Sequence, residues 1–169
     1  LVSFALRRLV SLAPRRVAAV VVATLALKGQ VAWQQVPYPP VKMNHIATTD
    51  PLTGRAMVGF GYPGTDNAPT HLLWLRDPAA RFGWRDLAGV SGPGARVDTA
   101  VALDVHRRRL VLFSGYAATN DTWEFDGTSW QQMTPATAPP ARFGHAMTYD
   151  FVRRRVVLFG GAVNLGDLS

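Results

Sequence analysis

An internal repeat with a spacing of 46 residues constrains this chain more than any other feature. Segment 140–161 joins an Arg-Phe-Gly-His-Ala block to an Arg-Arg-Arg-Val-Val-Leu-Phe-Gly-Gly block, and a related copy occupies 94–115. A third, weaker copy at 45–61 lies 54 residues further upstream. One tryptophan accompanies each copy: Trp33, Trp84 and Trp130. Three copies at this period indicate a repeat architecture in which each copy is one small structural unit.

Each copy is predicted to form four short antiparallel strands. The segments 143–149 and 155–159 are examples of the first and second strands. The segment 121–125 is an example of the third strand, and a fourth strand is expected to begin near Trp130. The second strand is apolar from Val156 to Phe159, without polar alternation, so both of its faces must be covered. Blades that stack face to face in a β-propeller provide this cover. We therefore expect an all-β fold, a partial and open β-propeller of four-stranded antiparallel blades with an N-terminal apolar helix.

The repeat motifs resemble the Kelch family, in the form common in bacterial secreted proteins and in the central domain of galactose-oxidase-like proteins. The resemblance covers residues 31–169 and rests on four motifs: RFGHA at 142–146, VLFGG at 157–161, DTWEF at 121–125 and the closing Trp130. The first copy departs from the pattern, with Gly-Phe-Gly for the double glycine and Leu-Leu-Trp-Leu where Thr-Trp-Glu stands later. The strand register of this first copy is open by one residue, which leaves open the face of the sheet on which Trp74 lies.

Strand counting gives about two and a half blades, in repeats near 33–83, 84–129 and 130–169. The chain supplies a lone fourth strand at Trp33, two full sets of four, and two final strands. Because propellers typically close with 4–8 blades, we expect a fragment of a larger propeller.

Residues 1–30 are predicted to be an export leader. A basic segment ends at Arg15-Arg16, and an apolar run follows from Val17 to Leu27. As a helix this run reaches about 16 Å, well short of the roughly 30 Å of a bilayer core. Its length favours a signal peptide and hence a secreted or periplasmic protein. The alternative is an uncleaved helix that anchors the protein to the membrane.

Charge and cysteine content exclude several function classes. The net charge is +7, but residues 1–30 contain five basic and no acidic side chains, whereas the remaining 139 contain 13 basic and 11 acidic ones. The near balance of basic and acidic side chains outside residues 1–30 therefore does not indicate nucleic-acid binding. Cysteine is absent, which excludes disulfides, thiolate metal sites and cysteine nucleophiles. No nucleophile or phosphate-binding motif occurs either, so we predict neither catalytic residues nor a cofactor.

Two sets of polar residues recur at equivalent repeat positions. His45, Thr99 and His145 form one set, and we expect them to form hydrogen bonds at the start of a strand rather than to bind a metal, since the two histidines belong to next-nearest blades. Asp50, Asp104 and Asp150 form the other. An aspartate at a turn accepts hydrogen bonds from nearby backbone amides, so a structural role is expected for all three.

Two arginine triplets fall in equivalent hairpins and make one candidate site. They are Arg107, Arg108, Arg109, Arg153, Arg154 and Arg155. Adjacent blades would display all six along one rim. Solvated turn charges that protect a sheet edge explain them without a ligand, and contact with an anionic glycan or an acidic protein is the functional alternative.

The function expected from these features is non-catalytic binding of a protein or glycan through blade loops. The segment 62–70 is the longest candidate loop. The rival hypothesis is the N-terminal part of a secreted carbohydrate-active enzyme, either galactose-oxidase-like or sialidase-like, with catalytic residues outside this chain. Galactose-oxidase-like enzymes depend on a cysteine–tyrosine cofactor, which this chain cannot form.

Overall fold

The computed structural model describes residues 20–25, 31–36, 43–62, 73–80, 83–87, 91–116 and 120–163. These ranges form antiparallel β-sheets only, without a helix, which confirms the expected all-β class. In the same ranges, no helix is long and apolar enough to cross a membrane.

The strands form one N-terminal hairpin and three further sheets. The hairpin pairs β1 (Val20–Leu25) with β2 (Val31–Val36). The first sheet has the order β3 (Ile46–Thr49), β4 (Ala56–Gly59), β5 (Leu73–Arg76), β6 (Trp84–Asp86). The second has the order β7 (Ala100–Asp104), β8 (Arg109–Phe113), β9 (Thr122–Phe125), β10 (Trp130–Met133). The third pairs β11 (Ala146–Asp150) with β12 (Arg155–Phe159).

Most strand predictions agree with these bounds. The predicted second strand coincides with β12, and the third and fourth match β9 and β10. The first strand was expected from residue 143, but β11 begins at Ala146. Gly144 has a φ of 65°, which interrupts extended structure, and Phe143 instead forms an isolated bridge to Ala162.

The apolar leader differs from its predicted form over six residues. A helix was expected there, whereas Val20–Leu25 is a strand paired with β2. Valine and threonine make up four of the six residues, and their branched Cβ atoms favour extended structure. Residues 1–19 and 26–30 lie outside the described residues, so the leader itself stays a prediction.

Sheet limits and repeat limits are offset by one strand. Trp84 and Trp130 open the last strands of the first and second sheets. The repeats drawn at 33–83, 84–129 and 130–169 therefore end one strand before the corresponding sheet does.

The second strand of each four-stranded sheet is packed on both faces. Between the first and second sheets, Met57 and Leu75 pack against Leu110 and Leu112. Trp130 contributes to the same core, with ring centroids 6.1 Å from Phe60 and 5.0 Å from Phe125. The alternate residues of β8 point the other way, toward the third sheet, where the Phe113 ring meets that of His145 at 5.8 Å. As predicted, β8 lacks polar alternation because neighbouring sheets cover both of its faces.

Backbone hydrogen bonds join neighbouring sheets in a repeated pattern. Gly61 donates to the carbonyl of Arg96 at 2.9 Å, and Gly115 donates to that of Arg142 at 3.0 Å. A further bond joins the third sheet to the second, where the Gly144 amide donates to the Asp98 carbonyl at 2.9 Å. Because the first strands β3, β7 and β11 are also neighbours, consecutive sheets are related by the same local geometry.

Glycine is required where these connections form. Gly61, Gly115 and Gly161 occupy equivalent places and all have positive φ, of 76°, 130° and 81°. A Cβ on Gly161 would lie 2.8 Å from the Phe143 carbonyl oxygen, and one on Gly115 would lie 3.0 Å from that of Val97. A side chain would therefore force the first and second strands of a sheet apart.

A buried ion pair ties the second sheet together beside this connection. Both terminal nitrogens of Arg96 lie 3.0 Å from the carboxylate oxygens of Asp121, and one also donates to the Ser114 carbonyl at 3.1 Å. Trp123 donates its indole N–H to the same carboxylate at 2.6 Å. Since the Arg96 side chain is only 6% exposed, this bidentate pair is shielded from water.

Loss of Arg96 should therefore destabilise the fold strongly. Arg96→Ala leaves a buried carboxylate unpaired, which costs about 3–5 kcal/mol. Arg142 is the equivalent residue of the third sheet, with a guanidinium that reaches the Gly160 carbonyl at 2.9 Å in an exposed setting. We expect Arg142→Ala to cost less than about 1 kcal/mol. Urea unfolding followed by circular dichroism measures both, and equal losses would contradict the assignment.

Candidate functional site

The three aspartates at the first hairpin turns have the structural role predicted for them. Asp50 accepts the Thr53 amide at 2.9 Å, and Asp104 accepts the Arg107 amide at 3.0 Å. Asp150 accepts the Arg153 amide at 2.9 Å. These bonds fix the three turns, and the turns after Asp104 and Asp150 present the arginine triplets.

In the second sheet, every arginine of the triplet has a partner within the protein. Arg107 lies 2.7 Å from Asp104 and 2.8 Å from Glu124. Arg109 pairs with Asp126 at 3.0 Å. Arg108 crosses to the first sheet and donates to the carbonyls of two turn residues there, at 3.2 and 2.9 Å. The positive charge of Arg107 and Arg109 is therefore balanced locally, and Arg108 links two sheets.

The triplet of the third sheet is less engaged. Arg153 pairs with Asp150 at 3.0 Å. Arg154 and Arg155 are exposed, and neither forms an ion pair with the part of the chain that the structure describes. The two triplets are equivalent in sequence, but among the described residues Arg154 and Arg155 are exposed and less engaged than Arg107 and Arg109.

A shallow depression of about 310 Å³ lies at the arginine triplet of the second sheet. It is lined by Leu52, Arg107, Arg108, Arg109, Asp126 and Thr128. Its ion pair between Arg109 and Asp126 and its open shape suit a polar surface contact better than enclosure of a small molecule. The depression lies between hairpins of the first and second sheets and includes only one of the two triplets of the predicted rim.

A polar network between the second and third sheets was not predicted. The Tyr149 hydroxyl lies 2.8 Å from Nδ1 of His106. Burial raises the pKa of Asp104, but hydrogen bonds from Arg107 and Tyr149 outweigh it, so the pKa lies below the usual value. Burial and then the bond to Asp104 raise the pKa of Tyr149. The tyrosine therefore stays protonated and links the sheets; no motif signals a contact that spans two repeats.

The equivalent residues His45, Thr99 and His145 do not share the hydrogen-bonding role expected for them. The Thr99 hydroxyl donates to the Phe113 carbonyl at 3.1 Å. His145 is 7% exposed, and neither ring nitrogen has a hydrogen-bond partner among the described residues, while His45 is exposed. The expectation holds for Thr99 and is wrong for His145, whose ring instead packs edge-on against Phe113.

Comparison with known proteins does not assign the chain to a family. No protein-family model matches it, and no curated protein does either. Among the described residues, no three His, Asp or Glu side chains come together as a possible metal site. The loop expected at 62–70 lies outside the described residues from position 63 onward.

The buried imidazole makes stability depend on pH. Burial, followed by the nearby charge of Arg142, lowers the pKa of His145 below its usual value. Its neutral form is therefore favoured in the folded state, and this contribution is complete above about pH 6.5. It is lost as the pH falls through the lower pKa of the folded state.

We expect His145→Leu to reduce the loss of stability between about pH 7.5 and pH 5. The urea midpoint of the wild-type protein should fall over this interval by more than that of the variant. His45→Leu is the matched control, because His45 occupies the equivalent place but is exposed. A variant with an unchanged pH dependence would show that His145 is hydrated or paired in solution.

Proposed function

We propose that residues 31–169 form part of a Kelch-type β-propeller that binds an anionic partner, a glycan or an acidic protein segment, without catalysing a reaction. Three successive sheets with neighbouring first strands and recurring hydrogen bonds between sheets support the propeller arrangement. A propeller of this kind presents its hairpin turns as a continuous rim.

The contrast between the two arginine triplets is the observation that carries the binding proposal. In the second sheet, Asp104, Glu124 and Asp126 accompany the arginines. In the third sheet, Arg154 and Arg155 remain exposed. A guanidinium forms bidentate hydrogen bonds with sulfate and carboxylate groups. We therefore assign the contact to Arg154 and Arg155, with Arg153 beside them.

An exported protein meets anionic glycans and acidic proteins at cell surfaces. The basic and apolar N-terminal segment supports export, which would give a secreted or periplasmic location. In the alternative, an uncleaved leader would hold the same rim close to a membrane.

A double variant tests the rim directly. Arg154→Ser with Arg155→Ser should raise the Kd for a sulfated oligosaccharide such as a heparin fragment at least about tenfold, which corresponds to about 1.4 kcal/mol. The midpoint of urea unfolding should change little, because both side chains are exposed. Isothermal titration calorimetry at about 0.15 M salt gives the affinity.

Arg107→Ser with Arg109→Ser is the matched control, since it removes the same charge from the equivalent hairpin. Because these side chains bind Asp104, Glu124 and Asp126, we expect lower stability with less effect on affinity per folded molecule. Unchanged binding by the third-sheet variant would refute the site. Equal loss in both variants would instead indicate nonspecific charge attraction.

A further inference from the structure

A pocket of about 400 Å³ lies between the first and second sheets. The first sheet contributes the turn after Asp50 and residues of its outer strands, and the second sheet contributes the turn after Phe125. The volume lies within the range of pockets that hold small ligands, roughly 300–1,000 Å³. Both sheets have four strands, and the pocket shares no residue with the arginine triplet of the third sheet.

The second sheet fills the equivalent place with an arginine side chain. Arg107 follows Asp104 by three residues, and its guanidinium lies 2.7 Å from Asp104 and 2.8 Å from Glu124. The first copy of the repeat precedes the second by 54 residues. Asp50 and Thr53 are therefore the counterparts of Asp104 and Arg107, and the guanidinium of the second sheet is replaced by a short hydroxyl side chain.

The third member of this charged group is also replaced. Leu75 lies opposite Met57 in the first sheet, as Glu124 lies opposite Val111 in the second. Since Met57 and Val111 are 54 residues apart, Leu75 is the counterpart of Glu124. The threonine and the leucine both line the pocket, which therefore has the position of the missing arginine side chain.

The buried carboxylate of Asp50 remains without a cation among the described residues. Asp50 is 4% exposed. The amide and the hydroxyl of Thr53 both donate to its Oδ2, the amide at 2.9 Å. Arg55 and Arg85 of the same sheet pair instead with Asp77, at 3.8 and 3.9 Å. A buried carboxylate is stabilised by a bound cation, because burial has removed its solvation.

The rest of the lining suits an aliphatic chain that ends in an acid. Leu52, Leu75 and Phe125 give the pocket apolar walls. Arg85 lies on β6, at the opposite edge of the sheet from β3 and Asp50, and its side chain is 57% exposed. A guanidinium binds a carboxylate through two hydrogen bonds. The pocket thus carries opposite charges at its two ends, with apolar surface between them.

We propose that this pocket binds a guanidino acid, with free L-arginine as its representative. The ligand guanidinium takes the place that Arg107 fills in the second sheet and bonds to Asp50. The methylene chain lies against Leu52 and Phe125, and the ligand carboxylate bonds to Arg85. This site adds a small-molecule ligand to the anionic partner proposed above and does not depend on it.

Calorimetric titration of the full chain with L-arginine and two analogues tests the assignment. L-Arginine should bind saturably. Citrulline replaces the guanidinium by a neutral ureido group, and agmatine lacks the carboxylate. Each analogue loses a hydrogen-bonded ion pair with the pocket, so each should have a Kd at least about tenfold higher than that of L-arginine.

Three variants locate the site. Thr53→Arg supplies the guanidinium from within the chain, so it should abolish L-arginine binding and leave the midpoint of urea unfolding unchanged or higher. Gln131→Arg is the matched control, because it adds the same charge at an exposed position outside the pocket, and it should keep the wild-type Kd. Arg85→Gln should raise the Kd for L-arginine about tenfold and leave the Kd for agmatine unchanged.

A folded wild-type chain that shows no saturable binding of L-arginine would overturn the proposal. Citrulline or agmatine binding as tightly as L-arginine, or unchanged binding by a folded Thr53→Arg variant, would do the same. N-acetyl-L-arginine distinguishes two sources of this ligand chemistry. Its binding points to the C-terminal arginine of a peptide and its failure to bind points to the free amino acid, and both results, with L-arginine bound, support the pocket.

Discussion

The second strand of each four-stranded sheet is apolar on both faces, and the rest of the structure depends on covering both. In β8, Leu110 and Leu112 pack toward the first sheet, while Val111 and Phe113 point toward the third. Burial of one such side chain contributes roughly 1.5–3 kcal/mol. In the second sheet, burial on both faces of β8 therefore depends on the two sheets that flank it. Stacking imposes the close backbone approach at Gly61 and Gly115, because the amides of these residues bond to the next sheet.

Charged side chains stabilise the connections between stacked sheets. The contribution of each ion pair to stability depends on how far it is buried. The Arg96–Asp121 pair is shielded and bidentate, so both partners are required once they are buried. The pairs on the hairpin rim are more exposed, and exposed pairs contribute about 0–1 kcal/mol each. The rim can therefore exchange internal partners for external ones at small cost, whereas the inner pair cannot.

Contacts between repeats also distinguish residues that the repeat makes equivalent. Arg108 reaches two carbonyls of the first sheet, and Tyr149 of the third sheet contacts His106 of the second. Position in the stack thus gives each copy of a motif its own environment. Binding on such a scaffold is a property of individual hairpins, since the repeat itself supplies packing.

The repeat, the strands and the aspartate turns were determined by the sequence, because each depends on residues close together in the chain. The limits of β12 and the amide bonds of Asp150 follow from local alternation and turn chemistry. Tertiary structure decided the face of Trp74, which pairs opposite Val58 as Trp123 does opposite Leu112. It also decided that His145 is buried and His45 exposed, and that Arg107 is paired while Arg155 is open. These outcomes depend on which sheet lies next to which, and residues that meet there are tens of positions apart, beyond the reach of any local pattern.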